Sequence, residues 1–349
     1  MRLRFLNECF VWTFNKEYMK TETENETEDL REELSRQKTI NENLTQEIQK
    51  LQLYFNEIEA TNNHLIAATW REREIKRQLK EALDELNNTK QIVEKQNQRI
   101  SESINYARKI QLAINATEKN IKEEFSNSFI YYKPKDVISG DFPWYYKIGT
   151  DVFFAAVDCT GHGVPGAMLS IIGNLLLNDI VSNHPGKKTS EILECLHKQV
   201  VQTLKQNNPE NFSSDGMDIA LCKIDMKNQL IHFSGAHRPL LFVNKEGVTI
   251  LKGDRCPVGG TQYKGNNKYT EQTIRYEKND SLFIFSDGYP DQIGGEENRK
   301  FSTSQLNELL VNSAKSDAQV IETDLDRVFN NWKGTNKQID DVLVIGVKF

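Results

Sequence analysis

The sequence predicts an α+β domain carried behind a long N-terminal helical coiled coil. Three observations predict it. All 19 glycines and all 8 prolines lie beyond residue 133, with Pro134 and Gly140 the first of each. A stretch that long without either helix breaker argues for continuous helix. Within it, apolar residues recur every seven positions from Leu44, the period of a left-handed coiled coil. Beyond residue 125 the texture changes to short apolar runs such as SFIYYK, DVFFAAV, DIALCKID, SLFIFS and DVLVIGVKF, rich in β-branched and aromatic residues and read as strands.

Residues 1–29 are expected to form a polar, partly disordered lead-in. It holds one apolar run, FLNECFVWTF at 5–14, interrupted by Asn7 and Glu8, and ends on acidic KTETENETED. No stretch approaches the roughly 20 apolar residues of a membrane helix, and no signal-peptide cleavage pattern follows the opening run. Residues 30–122 are expected to be coiled coil and helical linker. The positions Leu44, Leu51, Ile58, Leu65, Glu72, Leu79, Leu86, Val93, Ile100 and Ala107 are apolar at nine of ten places. Those four residues further on are mixed: Ile48, Phe55, Leu83 and Ile104 are apolar, whereas Asn62, Thr69, Lys76, Asn97 and Gln111 are polar. A parallel homodimer is the expected use of such a seam. Residues 123–349 form the α+β domain, with helical patterns at 166–183, 188–206, 303–314 and 318–332 and a hairpin turn at DMKN, 225–228.

Net charge is −6 with 27% charged residues, which argues against a nucleic-acid partner gripped through counterion release. The five cysteines, Cys9, Cys159, Cys195, Cys222 and Cys256, form no CxxC pair. That usage suits reduced thiols in the cytoplasm and argues against structural zinc.

Aspartates stand where strands end. Asp141 lies in VISGDF, Asp158 ends VFFAAVD, Asp287 ends SLFIFSD before Gly288, and Asp340 and Asp341 open DDVLVIGVKF. One such aspartate is usually a turn former or helix cap; several at distant strand ends point to a shared pocket. Converging carboxylates raise one another's pKa, and a divalent cation removes the conflict. Oxygen ligands without histidine or thiolate pairs favour magnesium or manganese. Two bridged ions would activate water and clamp phosphoryl oxygens. Beside Asp158 runs GHGVPG, whose Gly161, Gly163 and Gly166 form a turn into AMLSIIGNLLLNDIV. Pro165 sits near the first helical position, so the turn reads as an anion-binding helix start. The residues alone thus point to a metal-dependent phosphoryl hydrolase.

YKPKDVISGDF, VDCTGHGVPGAML, DGMDIAL, FSGAHRPLLF, CPVGG, FSDGYPDQIGG and QIDDVLVIGVKF occur in this order over nearly all of 125–349. Together they resemble the bacterial, stage II sporulation protein E-like branch of the metal-dependent protein phosphatase 2C family. ISESINYARKIQLAI, residues 100–114, is similar to the helical linker that precedes this domain in many members. The resemblance implies an αββα four-layer sandwich and two divalent cations, Mn2+ or Mg2+. Metal-activated water would attack phosphoserine or phosphothreonine in line, without a covalent phosphoenzyme. By motif, Asp158 would bridge both ions and the Cys159 carbonyl would support one. Asp287 and Asp340 would hold the other, and Asp141 would act on the second directly or through water. His162 would serve as general acid or as a turn residue.

His237 is expected to shape a loop, Asp215 and Asp218 to cap turns rather than reach a third ion, and Asp341 to point away from the site, because strand neighbours alternate. Pro143 stands where the branch more often has an aromatic residue. Asn115 and Ala116 stand where relatives often carry a proline-containing break, so an unbroken linker helix is expected. The resemblance implies a phosphorylated protein substrate in a bacterial signalling pathway, such as an anti-sigma-factor antagonist, with dimerisation and regulation through the coil. The alternatives are a catalytically silent coiled-coil scaffold and a hydrolase of a small phosphorylated metabolite.

Overall fold

The computed structural model describes residues 24–208, 214–260 and 267–349. Cys9, the apolar opening run and residues 1–23 of the expected lead-in lie outside the described residues. Residues 24–29 are already helical. The chain divides into two compact units, one ending at Glu94 and one spanning Lys95–Phe349.

Helix α1 runs Glu24–Ile114, 91 residues, or about 135 Å at 1.5 Å per residue. In the first unit its seam residues Leu44, Leu51, Ile58, Leu65, Leu79, Leu86 and Val93 are 47–66% exposed. Polar positions carry intrahelical ion pairs, as where Arg77 reaches Glu74 and Glu81 at 2.6 Å. Solvent screens such exposed pairs, so they add little to stability.

The second unit begins with the last turns of α1. Gln111 is buried; its Nε2 donates to Ser139 O at 2.6 Å and Ser170 Oγ at 2.8 Å, and its Oε1 accepts from Ser139 N. A polar companion position of the heptad thus ties the helix end to the domain. The expected unbroken linker is not seen. The helix stops at Ile114, and a short helix α2 follows at Glu118–Lys122. Ala116 N donates to Pro143 O at 3.1 Å, and Thr117 N donates to Asn120 Oδ1 at 2.8 Å, so the backbone leaves the helix to satisfy other partners.

The strands are β1 (Asn127–Lys133), β2 (Phe142–Ile148), β3 (Asp151–Cys159), β4 (Gly216–Asp225), β5 (Leu230–Ala236), β6 (Leu240–Asn244), β7 (Gly247–Leu251), β8 (Val258–Gly259), β9 (Gln272–Arg275), β10 (Ser281–Phe285), β11 (Ile293–Gly294), β12 (Arg299–Lys300) and β13 (Val342–Lys348). They build two antiparallel sheets, ordered β1-β13-β10-β6-β7 and β2-β3-β4-β5-β9, with β8 on β4, and the small β11-β12 pair. Helices α3 (Gly163–Asn183) and α4 (Thr189–Thr203) follow β3; α5 (Gly288–Asp291), α6 (Thr303–Ser313) and α7 (Ala318–Lys333) lie between β10 and β13.

VFFAAV is apolar throughout because β3 is covered on both faces. Phe153, Ala155 and Val157 share a core with Leu177, Leu193 and Leu196 of α3 and α4. Val152, Phe154 and Ala156 meet Ile284, Leu343 and Ile345 of the opposite sheet. The far face of that sheet packs Phe129 and Phe283 on Leu306, Leu325 and Phe329 of α6 and α7. These three cores separate four layers, helices–sheet–sheet–helices, the sandwich that the motifs imply. Pro143 lies in β2, an edge strand, where a missing N–H leaves no ladder gap.

The sequence offers no obvious membrane span, yet α3 is long and apolar enough by composition to cross one. Its Leu169, Leu177, Ile180 and Val181 are instead buried in the core. Among the described residues, Cys159, Cys195, Cys222 and Cys256 are free thiols.

Candidate metal centre

Strand register sets the site. In β3 the side chains of Val152, Phe154 and Ala156 face the other sheet, so alternation puts Asp158 on that inner face at the strand's end. Asp158 pairs across the ladder with Asp218 of β4. Continuing the β2–β3 register one residue past Phe142↔Val157 sets Asp141 opposite Asp158. Continuing β4–β5 past Ile219↔Ala236 sets His237 opposite Asp218, and His237 Nδ1 lies 2.8 Å from Asp218 Oδ1. One row across four strands therefore carries Asp141, Asp158, Asp218 and His237. The facing sheet contributes Asp287, just past β10, and Asp340, just before β13, from strands that pair directly.

Arg238 joins the two sheets. Its Nη2 lies 2.7 Å from Asp158 Oδ2, 2.6 Å from Asp287 Oδ2 and 3.1 Å from Asp218 Oδ2. Its Nε is buried without a partner. Burial works against its charge, but Asp158, Asp287 and Asp218 outweigh that and hold it protonated.

The carboxylates strain against each other. Burial pushes the Asp158 carboxyl up to about 7, against the pull of Arg238 and with help from Asp287, Asp218 and Asp340. Burial, then the charge of Asp158, drives Asp141 well above the usual carboxylate range. Burial also raises Asp340, with Asp287 and Asp341 adding to it. Without metal, the folded chain thus holds protons that the unfolded chain has already released. The stability tied to them is complete below about pH 4 and is lost as pH rises through about 7. Thermal unfolding in chelator should show a Tm drop from about pH 5 to about pH 7.5 that shrinks in Asp158→Asn; an equal drop in both proteins contradicts this.

Asp341 takes no part in the row. Its buried carboxylate accepts from Lys135 N at 2.7 Å and Gly140 N at 2.8 Å, and so fixes the loop that presents Asp141. That loop presses on the glycine turn: a Cβ on Gly140 would stand 2.5 Å from Gly161 O and 3.2 Å from Cys159 O. Gly161 and Gly163 have φ of +81° and +66°, which favour glycine, and Gly166 packs on the Gly161 carbonyl. His162 is the N-cap of α3, and its Nδ1 lies 3.0 Å from Asp136 Oδ2.

The expected residues Asp141, Asp158, Asp287 and Asp340 thus reach one end of the sandwich, with Cys159 and the Gly161–Gly166 turn beside them. Asp215 lies just before β4 and accepts from Thr160 Oγ1 at 3.3 Å. Asp218 is not a turn cap but a strand residue in the row. Arg238 and Asp136 escaped the sequence reading; both stand inside quoted motifs, but only register and loop packing show their partners.

The donor set suits a hard divalent ion in kind: clustered carboxylates, a nearby carbonyl, and the buried Asp141 Oδ2 with no hydrogen-bond partner. In the arrangement seen, Arg238 lies among these oxygens. Among the described residues no group of three His, Cys, Asp or Glu side chains is spaced to hold an ion.

Comparison with known proteins bears on the same segment. The sequence model of the family described as stage II sporulation protein E (SpoIIE) matches residues 149–349. No curated protein matches the chain. Among solved structures, the SiaA-PP2C domain of Pseudomonas aeruginosa is similar at TM-score 0.66 and 24% identity, over 72% of this chain and 98% of that one. The PP2C phosphatase domain with a regulatory fragment of SpoIIE from Bacillus subtilis is similar at TM-score 0.51 and 15% identity, over 64% of this chain and 63% of that one. At these identities the likeness establishes a PP2C-like fold.

Proposed function

This chain belongs to the stage II sporulation protein E family, and on that premise we propose that it is a metal-dependent serine/threonine protein phosphatase. The carrying observation is the convergence of Asp141, Asp158, Asp287 and Asp340 from four strand ends onto one end of the sandwich. Asp158 and the Cys159 carbonyl, with Asp141, Asp287 and Asp340, would hold two divalent cations, Mn2+ or Mg2+. When bound, such ions neutralise the carboxylates and polarise water and phosphoryl oxygens.

The chain's own residues supply the rest. The left-handed glycines let backbone amides at the start of α3 approach an anion closely. Pairing of Nδ1 with Asp136 orients the His162 ring, and in the doubly protonated imidazolium form the Nε2–H would be the one able to pass its proton to the departing serine oxygen. Asp341 holds the Asp141 loop rigid, so the carboxylate needs no ordering when substrate arrives.

The substrate in this reading is a phosphorylated bacterial signalling protein, such as an anti-sigma-factor antagonist, handled in the cytoplasm by a homodimer joined through α1. The test is phosphate release from a phosphoserine peptide against a small aromatic phosphate ester. A clear preference for the peptide supports the protein substrate. Preference for the ester favours a metabolite hydrolase, and release from neither by the folded protein favours a silent scaffold.

A further inference from the structure

Arg238 has no part in the proposed reaction, yet it lies at the centre of the site. A single nitrogen, Nη2, meets Asp158, Asp287 and Asp218 within 3.1 Å, while Nε is buried with no acceptor. Arginines that serve as fixed structural ties commonly present two parallel N–H groups to one carboxylate. Here the charge of the group is matched and its hydrogen bonding is not. Two of the three carboxylates, Asp158 and Asp287, belong to the proposed metal set. A divalent ion binds carboxylate oxygen at about 2.0–2.6 Å, so it and the guanidinium would press their charges together over the same oxygens.

We propose that Arg238 is a tethered counter-cation that competes with divalent metal for Asp158 and Asp287, and so sets the metal affinity of the centre. In the metal-free chain it neutralises carboxylates that would otherwise repel one another across the two sheets. On loading, it must release them. The affinity measured for the ion is therefore its intrinsic affinity reduced by the cost of displacing Arg238. This inference rests on the metal-centre reading above and concerns only how tightly that centre loads.

The experiment is titration of the full chain with Mn2+, following free ion by electron paramagnetic resonance, so that no turnover is needed. Arg238→Gln removes the charge with modest loss of volume and is expected to tighten Mn2+ binding about tenfold or more, the scale of a charged hydrogen bond. Arg238→Lys keeps the charge and is expected to return affinity to near the wild-type value, which a role in packing alone would not produce. In chelator, Arg238→Gln is expected to unfold at lower temperature than wild type, and Mn2+ to close most of that gap. If Arg238→Gln binds Mn2+ as wild type does, or more weakly, the competitor role is overturned and the metal centre stands. If neither protein binds Mn2+, both readings fall together.

Discussion

Gly288→Ala is expected to lower the Tm of the protein by about 6–12 °C and to cost phosphate release along with it. Gly288 follows Asp287 and opens α5. A Cβ built there would stand 1.8 Å from the Asp341 carbonyl oxygen and 2.7 Å from the Asp341 carbonyl carbon. That neighbour is backbone, at the entry to a central strand, and has no rotamer to change. The clash can be relieved only by moving β13 or the end of β10. Overpacking of this kind costs about 1–3 kcal/mol, more where backbone must shift, and about 3 kcal/mol corresponds to that Tm change in a domain of this size. Either movement displaces Asp287, Asp340 or Asp341, so stability and the site fail together. A variant melting within about 2 °C of wild type with full activity would show that the contact is not as close as described. Differential scanning calorimetry beside the phosphate assay decides it.

Leu51→Lys, Ile58→Lys and Leu65→Lys combined are expected to abolish the proposed homodimer and leave a monomer. A lone helix is held mostly by packing of its apolar face, and these side chains are 60–66% exposed in the single chain. A second helix bearing a matching seam would cover them at seven-residue spacing. Each buried leucine or isoleucine contributes about 1.5–3 kcal/mol. Losing three from each of two helices exceeds the roughly 8 kcal/mol of a micromolar dimer. Sedimentation velocity reads the result. Wild type sedimenting as a monomer, or the triple variant remaining a dimer, contradicts the coiled-coil reading.

Much of this architecture was legible because its signals are local. The glycine- and proline-free segment and the seven-residue repeat need no tertiary knowledge to announce a helix, and Glu24–Ile114 is one. The helices expected at 188–206 and 318–332 appear at Thr189–Thr203 and Ala318–Lys333 because their apolar residues fall on one face. The break after Ile114 was not legible. No residue there forbids helix; the break comes from Ala116 bonding to Pro143, a contact 27 residues away in sequence. The site divides the same way. Asp141, Asp158, Asp287 and Asp340 stand at strand ends that the sequence marks. Asp218 sits two residues inside β4, and only the β3–β4 register turns it from an apparent cap into a neighbour of Asp158. Arg238 follows from nothing local: a loop residue becomes central because β5 ends beside β4 and the opposite sheet lies within reach.

The gathering of carboxylates around Arg238 also explains why one end of a stable sandwich can remain chemically poised. Each sheet brings its charges to the rim on the inner face, where apolar packing stops, and neither sheet can satisfy them alone. On the function proposed above, these carboxylates hold metal for phosphoester hydrolysis. The most direct test is phosphate release from a phosphoserine peptide by wild type and Asp158→Asn, each with Mn2+, with Mg2+ and with chelator. Release is expected from wild type with metal, none in chelator, and a loss of about a hundredfold or more in Asp158→Asn. Release that persists in chelator, or that survives in a folded Asp158→Asn protein, would contradict it.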